Sequence, residues 1–462
     1  MVDLRGKHIV VAGGGISGVA AATFCHRRGA HVVLSDVRAP AAIDMTRLDP
    51  GVTLDCGGHT VSLFAHADLI VLSPGIPLDI PVLQTAARSG VKIIGEVELA
   101  SWFIRAPLIA VTGTNGKSTV TSLIGHILGH CGEKVFVGGN IGTPLLEAVD
   151  GDYAVVVVEL SSFQLETVAH FHAATVVMLN VSPDHLDRYP DMCSYMQAKR
   201  NVFGNQTSAD LMVLNRDDAQ VLALAQESQA QPLYFSSTVP LETGFSLVRP
   251  DSSSQPEGAG QSGPPCQLCL RWRSSAEEYR FDPAELQLKG IHNLENVMAA
   301  MAACAQRGHN LDRIWVAACT FTGLPHRMEL VRTLRGVCWY NDSKGTNIGS
   351  VEKSLRGLDG PVTLIAGGKD KGGDYALLRP LLEEKRPHLV LLGAAAQKMA
   401  VAWADICPVT IVASMAEAVQ QAHTHTPAPG SVLLSPGCSS FDMFQSFTQR
   451  GEIFTALVMG LE

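Results

Sequence analysis

Two glycine-rich turns in the sequence have a spacing that suits them to bind phosphate groups. The first lies in residues 10–36, VVAGGGISGVAAATFCHRRGAHVVLSD, and the second in residues 111–119, VTGTNGKST. Each follows an apolar run typical of a β-strand and precedes a helical pattern. A helix that begins at such a turn directs backbone N–H groups and a partial positive charge at an anion. The two turns therefore predict two separate phosphate sites.

The first turn has the G-x-G-x-x-G spacing of a dinucleotide-binding loop. We expect Gly13 to permit a tight turn, Gly15 to let a phosphate approach the backbone, and Gly18 to let the helix pack closely on the strand. Asp36 ends the second strand, where an acid can bind a ribose hydroxyl. These residues favour a nucleotide diphosphate, usually NAD(P) or FAD. A glycine-rich turn without a ligand stays open as the alternative.

The second turn indicates an ATP site. It departs from the common phosphate-loop pattern, because Val111 stands where a glycine usually lies, five positions before the Gly-Lys pair. The residues that do the chemistry are still present. Lys117 can reach the β- and γ-phosphate oxygens, and Ser118 or Thr119 can bind Mg²⁺.

Polar side chains follow the next predicted strands, at the edge where ligands bind in α/β sheets. Glu159 ends the run VVVVE and is a suitable second ligand for Mg²⁺. Asp184, His185 and Asp187 follow TVVMLNVSP in the same way. A structural role for the histidine stays open, as does a plain surface role for Lys199 in the helical pattern SYMQAKRNVF.

Composition limits the class of protein. The chain has 462 residues, 46% apolar and 17% charged, which suggests a globular protein of roughly three domains at ~150 residues each. Its formal net charge of −9 argues against a nucleic-acid binder. We find no signal-peptide pattern and no apolar run that would span a bilayer, so we expect no membrane insertion. The eleven scattered cysteines suggest a reduced, cytoplasmic protein.

Three clusters of β-rich runs alternating with helical patterns predict an α/β fold of three domains. Each is expected to contain a mostly parallel sheet covered by helices, Rossmann-like in the N- and C-terminal domains and like a phosphate-loop ATPase in the centre. We place the domains at residues 1–98, 99–324 and 325–462. Residues 249–265, between FSLV and QLCLRWR, are predicted to be a flexible insert, either an exposed hairpin or an insertion loop. Cys266 and Cys269 form one C-x-x-C, which we interpret as plain thiols rather than a metal or redox site.

Eight motifs occur in an order that resembles the Mur ligase family of peptidoglycan synthesis. They are GTNGKST, ELSSFQLE, SPDHLDRY, AKRNVF, HNLENV, TGLPHRME, NDSKGTN and SPGCSSFDMF, and the resemblance covers essentially the whole chain. It implies that the first domain binds the UDP of a sugar-peptide substrate rather than a redox cofactor. It also implies that the middle domain binds ATP, and that the third binds the incoming amino acid and closes over the site.

The resemblance is strongest to the branch that joins D-glutamate to UDP-N-acetylmuramoyl-L-alanine through an acyl phosphate. It implies an ATP-dependent ligase of cytoplasmic cell-wall synthesis, acting as a monomer in support of cell shape and division. The implied catalytic residues are Lys117, Glu159, His185 and Lys199. The implied cofactors are two Mg²⁺ ions, one bound by Ser118 and Glu159 and the other by His185 and Lys199, with the lysine carbamylated by CO₂.

The resemblance also implies the substrate contacts. Those to ATP fall on Gly113, Thr114, Asn115, Gly116, Lys117, Ser118, Thr119, Asn296, Arg327, Asp342 and Lys344. Those to the UDP-substrate fall on Gly15, Ile16, Ser17, Asp36, Arg38, Ser73, Pro74, Gly75 and Asn140. Those to D-glutamate fall on Thr346, Lys371, Ser440, Phe441 and Phe447. Val37 stands where close relatives often carry a hydroxyl residue, so the resemblance leaves one hydrogen bond to uracil unassigned.

The sequence also leaves two other classes of function open. An NAD(P) oxidoreductase would use the first turn but leaves the ATP loop unexplained, and tight binding of NADH would favour it. A nucleotide switch or scaffold would hydrolyse ATP without forming an amide. Within the family, rival branches add L-alanine, a diamino acid or a dipeptide, and folate polyglutamate ligases are more distant.

Overall fold

The structure is a computed structural model and describes residues 2–185, 188–248, 269–273, 278–288 and 290–462. The chain divides into two compact units. The first comprises Met1–Asn180, Met196–Pro283 and Glu295–Cys319, and the second comprises Val181–Tyr195, Ala284–Leu294 and Thr320–Glu462. The described residues form three sheets, of which the first two belong to the first unit and the third to the second unit.

The N-terminal sheet is parallel, with the described strands in the order β3-β2-β1-β4-β5. Its elements are β1 (His8–Ala12), α1 (Ile16–Arg27), β2 (His31–Asp36), β3 (Thr53–Cys56), α2 (Val61–Ala65), β4 (Leu69–Leu72), α3 (Pro81–Arg88), β5 (Lys92–Gly95) and α4 (Glu96–Ser101). One core cluster includes Val10, Phe64, Ile70 and Leu83. Strand order reverses between β1 and β4, which is where open α/β sheets bind ligands, and the first glycine turn follows β1.

The central sheet has the order β14-β13-β12-β11-β10-β9-β6-β8-β7 among the described strands. Its strands are β6 (Leu108–Thr112), β7 (Val135–Gly139), β8 (Val155–Glu159), β9 (Thr175–Met178), β10 (Leu211–Asn215), β11 (Gln231–Ser236), β12 (Gly244–Val248), β13 (Cys269–Arg273) and β14 (Glu278–Phe281). The accompanying helices are α5 (Lys117–His130), α6 (Ser162–Leu165), α7 (Met192–Arg200), α8 (Ala219–Ala225), α9 (Ile291–Ala305) and α10 (Leu311–Cys319). Every residue of β8 is buried, as expected for a parallel strand covered on both faces.

The predicted hairpin around the insert is confirmed, because β12 and β13 pair antiparallel with Val248 opposite Cys269. The insert itself, residues 249–265, lies outside the described residues. So does Cys266 of the C-x-x-C.

The C-terminal sheet has the described order β15-β16-β20-β17-β18-β19, and β15 alone runs antiparallel to its neighbour. Its elements are β15 (Glu329–Leu334), β16 (Val337–Asn341), α11 (Ile348–Arg356), β17 (Val362–Gly367), α12 (Arg379–Lys385), β18 (His388–Leu392), α13 (Ala396–Trp403), β19 (Val409–Ile411), α14 (Met415–His425), β20 (Gly430–Leu434) and α15 (Phe447–Met459). Leu364 and Ile365 of β17 are both fully buried, in different core clusters. Helices therefore cover both faces of this sheet.

Short 3₁₀ segments occupy Pro40–Ala42, Leu145–Ala148, Asn201–Phe203, Pro283–Glu285 and Tyr375–Leu378. Among the helices that the structure describes, none combines the length and apolar character needed to cross a bilayer.

Candidate active site

The first glycine turn connects β1 to α1, and its backbone has the predicted shape. Gly13 has φ +95°, in the left-handed region that favours glycine. A Cβ on Gly18 would lie 1.7 Å from the carbonyl oxygen of Gly13, so only glycine lets the helix pack this closely. A Cβ on Gly15 would meet no atom within 4 Å, which leaves the backbone there open to a ligand.

A cleft of about 850 Å³ opens at this turn. Eight of the nine residues predicted for the UDP-substrate line it: Gly15, Ile16, Ser17, Asp36, Arg38, Ser73, Pro74 and Gly75. Apolar side chains that the sequence did not single out also line it, among them Val61 and Ile76. The ninth predicted residue, Asn140, directly follows β7 of the central sheet instead.

Asp36 is the buried acid of this cleft. Its carboxylate accepts hydrogen bonds from Gly14 N at 2.6 Å and from Arg38 Nε and Nη2 at 2.9 and 2.7 Å. The Arg38 guanidinium, with backbone N–H groups of Arg38 and Gly14, holds the pKa of Asp36 well below its usual range, although burial acts in the opposite direction. The carboxylate is therefore ionised, and it ties the glycine turn to Arg38.

The second turn connects β6 to α5, and its backbone requires glycine at positions 113 and 116. Gly113 has φ +143° and Gly116 has φ +91°. A Cβ on Gly116 would lie 2.4 Å from Asn296 Oδ1, so this predicted ATP contact packs directly against the turn.

Asn180, which the sequence analysis did not single out, holds the second turn in place. Its backbone carbonyl accepts from Thr114 N at 2.8 Å, and its side chain bonds both the N–H and the carbonyl of Asn115, at 2.8 and 3.0 Å. Asn180 follows β9, next to β6 in the sheet. A polar residue directly after the buried apolar run that ends at Leu179 was the available signal.

Lys117 folds back over the turn, donating to the carbonyl oxygens of Gly113 and Thr114 at 3.0 and 2.8 Å. Ser118 and Thr119, the first residues after it in α5, are 2% and 1% exposed. In the part of the chain that the structure describes, Thr119 Oγ1 is buried without a hydrogen-bond partner. Polar groups are thus concentrated beneath the phosphate loop.

Glu159 ends β8 beside this loop and is 1% exposed. One carboxylate oxygen accepts from Asn140 Nδ2 at 2.7 Å, and Asn140 N donates to the Glu159 carbonyl at 2.9 Å. The other carboxylate oxygen is buried and has no hydrogen-bond partner among the described residues. Because a buried unpaired carboxylate oxygen is costly, this atom suits a cation.

Lys199, near the end of α7, is 1% exposed, so the plain surface role is wrong. Its Nζ donates to the carbonyl oxygen of Gly113 at 2.8 Å. The structure therefore brings Lys199 to the phosphate loop.

His185 belongs to the second unit and has φ +57°, an uncommon backbone conformation for histidine. Its backbone N–H bonds the side chain of Asp184 at 2.9 Å. The other Asp184 oxygen accepts from Asn347 Nδ2 at 3.0 Å. Asp187 lies outside the described residues.

Among the predicted nucleotide contacts in the second unit, Asp342 is buried and Arg327 is half-buried. Asp342 is 3% exposed and accepts hydrogen bonds from Ser354 Oγ and Ser435 Oγ at 2.7 and 2.8 Å. Burial raises the pKa of Asp342, while these hydrogen bonds and the charge of Arg327 oppose the shift. Lys344 lies nearby in sequence, with its Nζ 5.4 Å from the centre of the Phe447 ring.

Of the residues predicted to bind D-glutamate, Lys371 and Thr346 lie close together. Lys371 Nζ lies 3.4 Å from Thr346 Oγ1 and 3.9 Å from a carboxylate oxygen of Asp184. Ser440 is 2% exposed, whereas Phe441 is 69% exposed.

Ser440 lies between β20 and α15, and the residue that caps α15 is Ser446, whose side chain accepts from Gln449 N. Phe441 is largely exposed and so does not belong to the core of the C-terminal sheet.

Among the described residues, no group of three or more histidine, cysteine or acidic side chains is placed to bind a metal ion. A cation at Glu159 would therefore need hydroxyl, phosphate or water ligands in addition to protein carboxylate.

Three domain families match successive parts of the chain. They are the Mur ligase MurD-like N-terminal domain over residues 7–95, the Mur ligase middle domain over residues 111–304, and the Mur ligase glutamate ligase domain over residues 326–438.

Two curated relatives are similar over the full length. A UDP-N-acetylmuramoylalanine–D-glutamate ligase from Syntrophotalea carbinolica is 48% identical over 100% of this chain and 99% of its own. A protein of the same name from Geotalea uraniireducens is 44% identical with the same coverage.

Solved structures share the fold at lower identity. The UDP-N-acetylmuramate-alanine ligase of Thermotoga maritima has a TM-score of 0.59 and 18% identity, covering 97% of this chain and 98% of its own. A pseudomurein peptide ligase type C from Methanothermus fervidus has a TM-score of 0.58 and 22% identity, covering 93% and 97%.

The chain belongs to the Mur ligase family. It is an enzyme of the ligase class with the predicted three-domain α/β fold, so the resemblance drawn from the motifs is confirmed.

Proposed function

We propose that this enzyme uses ATP to join D-glutamate to UDP-N-acetylmuramoyl-L-alanine in peptidoglycan precursor synthesis. The observation that carries the proposal is the phosphate loop with Lys117 over it and the buried carboxylate of Glu159 beside it. The names of the two full-length relatives support D-glutamate as the amino acid.

The two turns then serve two different nucleotides. We assign to the UDP-substrate the cleft at the first turn, with Gly15, Ile16, Ser17, Asp36, Arg38, Ser73, Pro74 and Gly75, together with Asn140. We assign to ATP the second turn, residues 113–119, with Asn296, Arg327, Asp342 and Lys344. A redox cofactor at the first turn would leave the second turn without a role.

Mg²⁺ is part of this proposal. Its residues are Ser118 and Glu159 at one site and His185 and Lys199 at another. The unpartnered oxygen of Glu159 supports the first assignment, since hard cations prefer oxygen ligands. When bound, Mg²⁺ neutralises charge that develops on phosphate oxygens.

The carbamate on Lys199 is likewise a proposal. Lys199 is 1% exposed, and its Nζ lies at the phosphate loop, 2.8 Å from the carbonyl oxygen of Gly113. A carbamate would place anionic oxygens where an ammonium would repel a cation.

The chemistry follows from the poor reactivity of a carboxylate toward an amine. The carboxylate oxygen of UDP-N-acetylmuramoyl-L-alanine takes the γ-phosphoryl group of ATP, giving an acyl phosphate and ADP. The amine of D-glutamate then attacks the acyl carbon, and phosphate leaves. Lys117, aimed at the loop carbonyls here, would stabilise the negative charge on the transferring phosphoryl group.

The acceptor end of the reaction is assigned to Thr346, Lys371, Ser440, Phe441 and Phe447. Lys371 supplies a positive charge beside the Thr346 hydroxyl, a combination that suits a carboxylate.

The same proposal includes domain boundaries at 98/99 and 324/325, a cytoplasmic location and a monomeric state. Size-exclusion chromatography with light scattering tests the last of these.

The test is phosphate release with UDP-N-acetylmuramoyl-L-alanine, ATP and a panel of D- and L-amino acids. We expect release with D-glutamate and only background with L-glutamate. Equal rates with both, or hydrolysis of ATP without a peptide product, would overturn the proposal. Calorimetry with NADH is the matched test of the oxidoreductase alternative, and we expect no binding.

A further inference from the structure

We propose that His59 reads the nucleobase in the cleft at the first turn, by accepting a hydrogen bond from the N3–H group of uracil. The proposal rests on the assignment of that cleft to the UDP-substrate. His59 lines the cleft together with Asp36, Arg38 and Val37.

A chain of hydrogen bonds sets which nitrogen of the His59 ring carries the proton. Ser35 Oγ lies 2.7 Å from an Asp55 carboxylate oxygen and 2.8 Å from His59 Nδ1. An ionised carboxylate only accepts, so the single hydroxyl proton of Ser35 goes to Asp55. The Ser35 oxygen must then accept from His59, which places the imidazole proton on Nδ1.

Asp55 is ionised in this arrangement. Burial opposes its ionisation, but hydrogen bonds from the Thr60 backbone, the Ser35 hydroxyl and the Thr60 hydroxyl hold the pKa of Asp55 below its ordinary value. The two Thr60 bonds measure 3.1 and 2.8 Å. Asp55 therefore stays an acceptor for the Ser35 hydroxyl, and this keeps the proton of the His59 ring on Nδ1.

The ring is also held in orientation. It packs edge-on against Phe64, with 5.4 Å between ring centres and 69° between planes. In the described part of the chain, no hydrogen bond reaches its Nε2. With Nδ1 engaged by the buried Ser35, Nε2 is the nitrogen that can serve a ligand, and in the neutral ring it is an acceptor.

This acceptor matches uracil and mismatches cytosine. Uracil carries a proton on N3, whereas N3 of cytosine is itself an acceptor. Val37, 64% exposed on the same cleft, has no polar group for the base edge. Val37 and Val61, which is 52% exposed, suit the faces of a flat base instead. His59 thus supplies a polar contact that Val37 does not.

Calorimetric titration of the full chain with UDP and with CDP tests the inference. The wild-type protein should prefer UDP by roughly 10-fold or more, because CDP leaves the imidazole acceptor unpaired. In His59→Ala, UDP binding should weaken about 3- to 10-fold with little change for CDP, so that the preference shrinks. His59→Gln, which retains an acceptor, should keep part of the preference.

Two further variants make the test specific. Ser35→Ala removes the partner of Nδ1 and should also reduce the UDP preference, while the ring stays in the cleft. His66→Ala is the matched control, since that histidine bonds the Ser62 carbonyl and lines a different cavity, and it should behave as wild type.

An unchanged UDP-to-CDP ratio in both His59→Ala and Ser35→Ala would overturn the role of His59, with thermal unfolding used to verify that the variants are folded. Failure of the wild-type protein to bind either UDP or UDP-N-acetylmuramoyl-L-alanine would instead overturn the assignment of the cleft, and the inference with it.

Discussion

The side-chain ammonium groups of Lys117 and Lys199 donate to the same oxygen, the carbonyl of Gly113, at 3.0 and 2.8 Å. Two positive charges on one acceptor, one of them fully buried, repel each other strongly in a medium of low dielectric. Carbamylation of Lys199 would replace a like charge beside Lys117 with an opposite one.

We expect Lys199→Ala to be nearly inactive and to regain part of its activity when a short carboxylate such as acetate is added. The added anion would occupy the space left by the side chain and replace the carbamate oxygens. Phosphate release, measured with and without acetate, checks this. Lys199→Arg is the control, since it keeps a positive charge and cannot form the carbamate, and it should stay inactive with or without acetate.

Electron density beyond Nζ of Lys199, in crystals grown with bicarbonate, is the direct check. A bare ammonium at high bicarbonate, or an active Lys199→Arg enzyme, would contradict the carbamate.

Lys117→Ala should abolish ligation while leaving the affinity for the UDP-substrate unchanged. Lys117 donates to carbonyls of the second turn, whereas the UDP cleft is built on the first turn. Loss of a group that stabilises phosphoryl-transfer charge should lower kcat by roughly 10²- to 10³-fold or more. Stopped assays and calorimetry with UDP-N-acetylmuramoyl-L-alanine separate the two effects. A variant that loses both equally would show that the two nucleotide sites are not independent.

Much of the fold could be predicted from the sequence, because buried parallel strands are continuous apolar runs. The apolar runs VVVVE and VTLIAG predict strands on that pattern alone, and they form β8 and β17. The short strand TLDC, β3, carries polar residues at a sheet edge and has no such pattern. It was missed for that reason.

The site was predictable where a motif fixes both backbone and chemistry, as at Gly113 and Lys117. It was not predictable where a side chain acts through distant neighbours. Arg450, 2% exposed in α15, donates to Ser343 Oγ, Ser343 O and Cys438 O at 3.0, 2.8 and 3.2 Å. It thereby connects α15 to the motifs NDSKGTN, which contains Ser343, and SPGCSSFDMF, which contains Cys438. A lone arginine in a helical pattern is usually on the surface, so nothing local marks this one.

Lys371→Ala should impair the use of D-glutamate far more than the use of ATP. Its ammonium group lies 3.4 Å from Thr346 Oγ1 and 3.9 Å from a carboxylate oxygen of Asp184. A carboxylate of D-glutamate would replace Asp184 as the partner of this ammonium group. Loss of one charge-assisted hydrogen bond, ~1.5–3 kcal/mol, should lower kcat/KM for D-glutamate roughly 10- to 150-fold. Initial rates with each substrate varied in turn give the two constants. Lys369→Ala, an exposed lysine two residues earlier, is the matched control and should be near wild type.

An unchanged kcat/KM for D-glutamate in Lys371→Ala would show that the acceptor pocket is misplaced. Equal losses in Lys371→Ala and Lys369→Ala would point to general electrostatics instead of a specific contact.

Glu96 and Glu98, two residues apart on α4, should affect stability with opposite dependence on pH. Burial raises the pKa of Glu96 to about 7, although Leu146 N donates to one of its oxygens at 2.7 Å. In the unfolded chain this group titrates near 4.5. Between those values the folded state holds the proton and the unfolded state releases it, so stability falls as pH rises through this window. Glu96→Gln removes the titration and should gain stability relative to wild type from pH 5 to pH 7.5, by up to about 3 kcal/mol.

Glu98 provides the contrast. Burial opposes its ionisation, but hydrogen bonds from Ala169 N, Trp102 Nε1 and the His170 ring and backbone hold the pKa of Glu98 below its ordinary value. Its contribution is present above the unfolded pKa and is lost as pH falls through the lower folded value. Glu98→Gln should therefore be destabilised most at neutral pH and recover toward wild type below about pH 4. Thermal unfolding of both variants and the wild type across this range is the measurement. Parallel pH profiles for the two variants would mean that burial of Glu96 and the hydrogen bonds of Glu98 do not govern their ionisation.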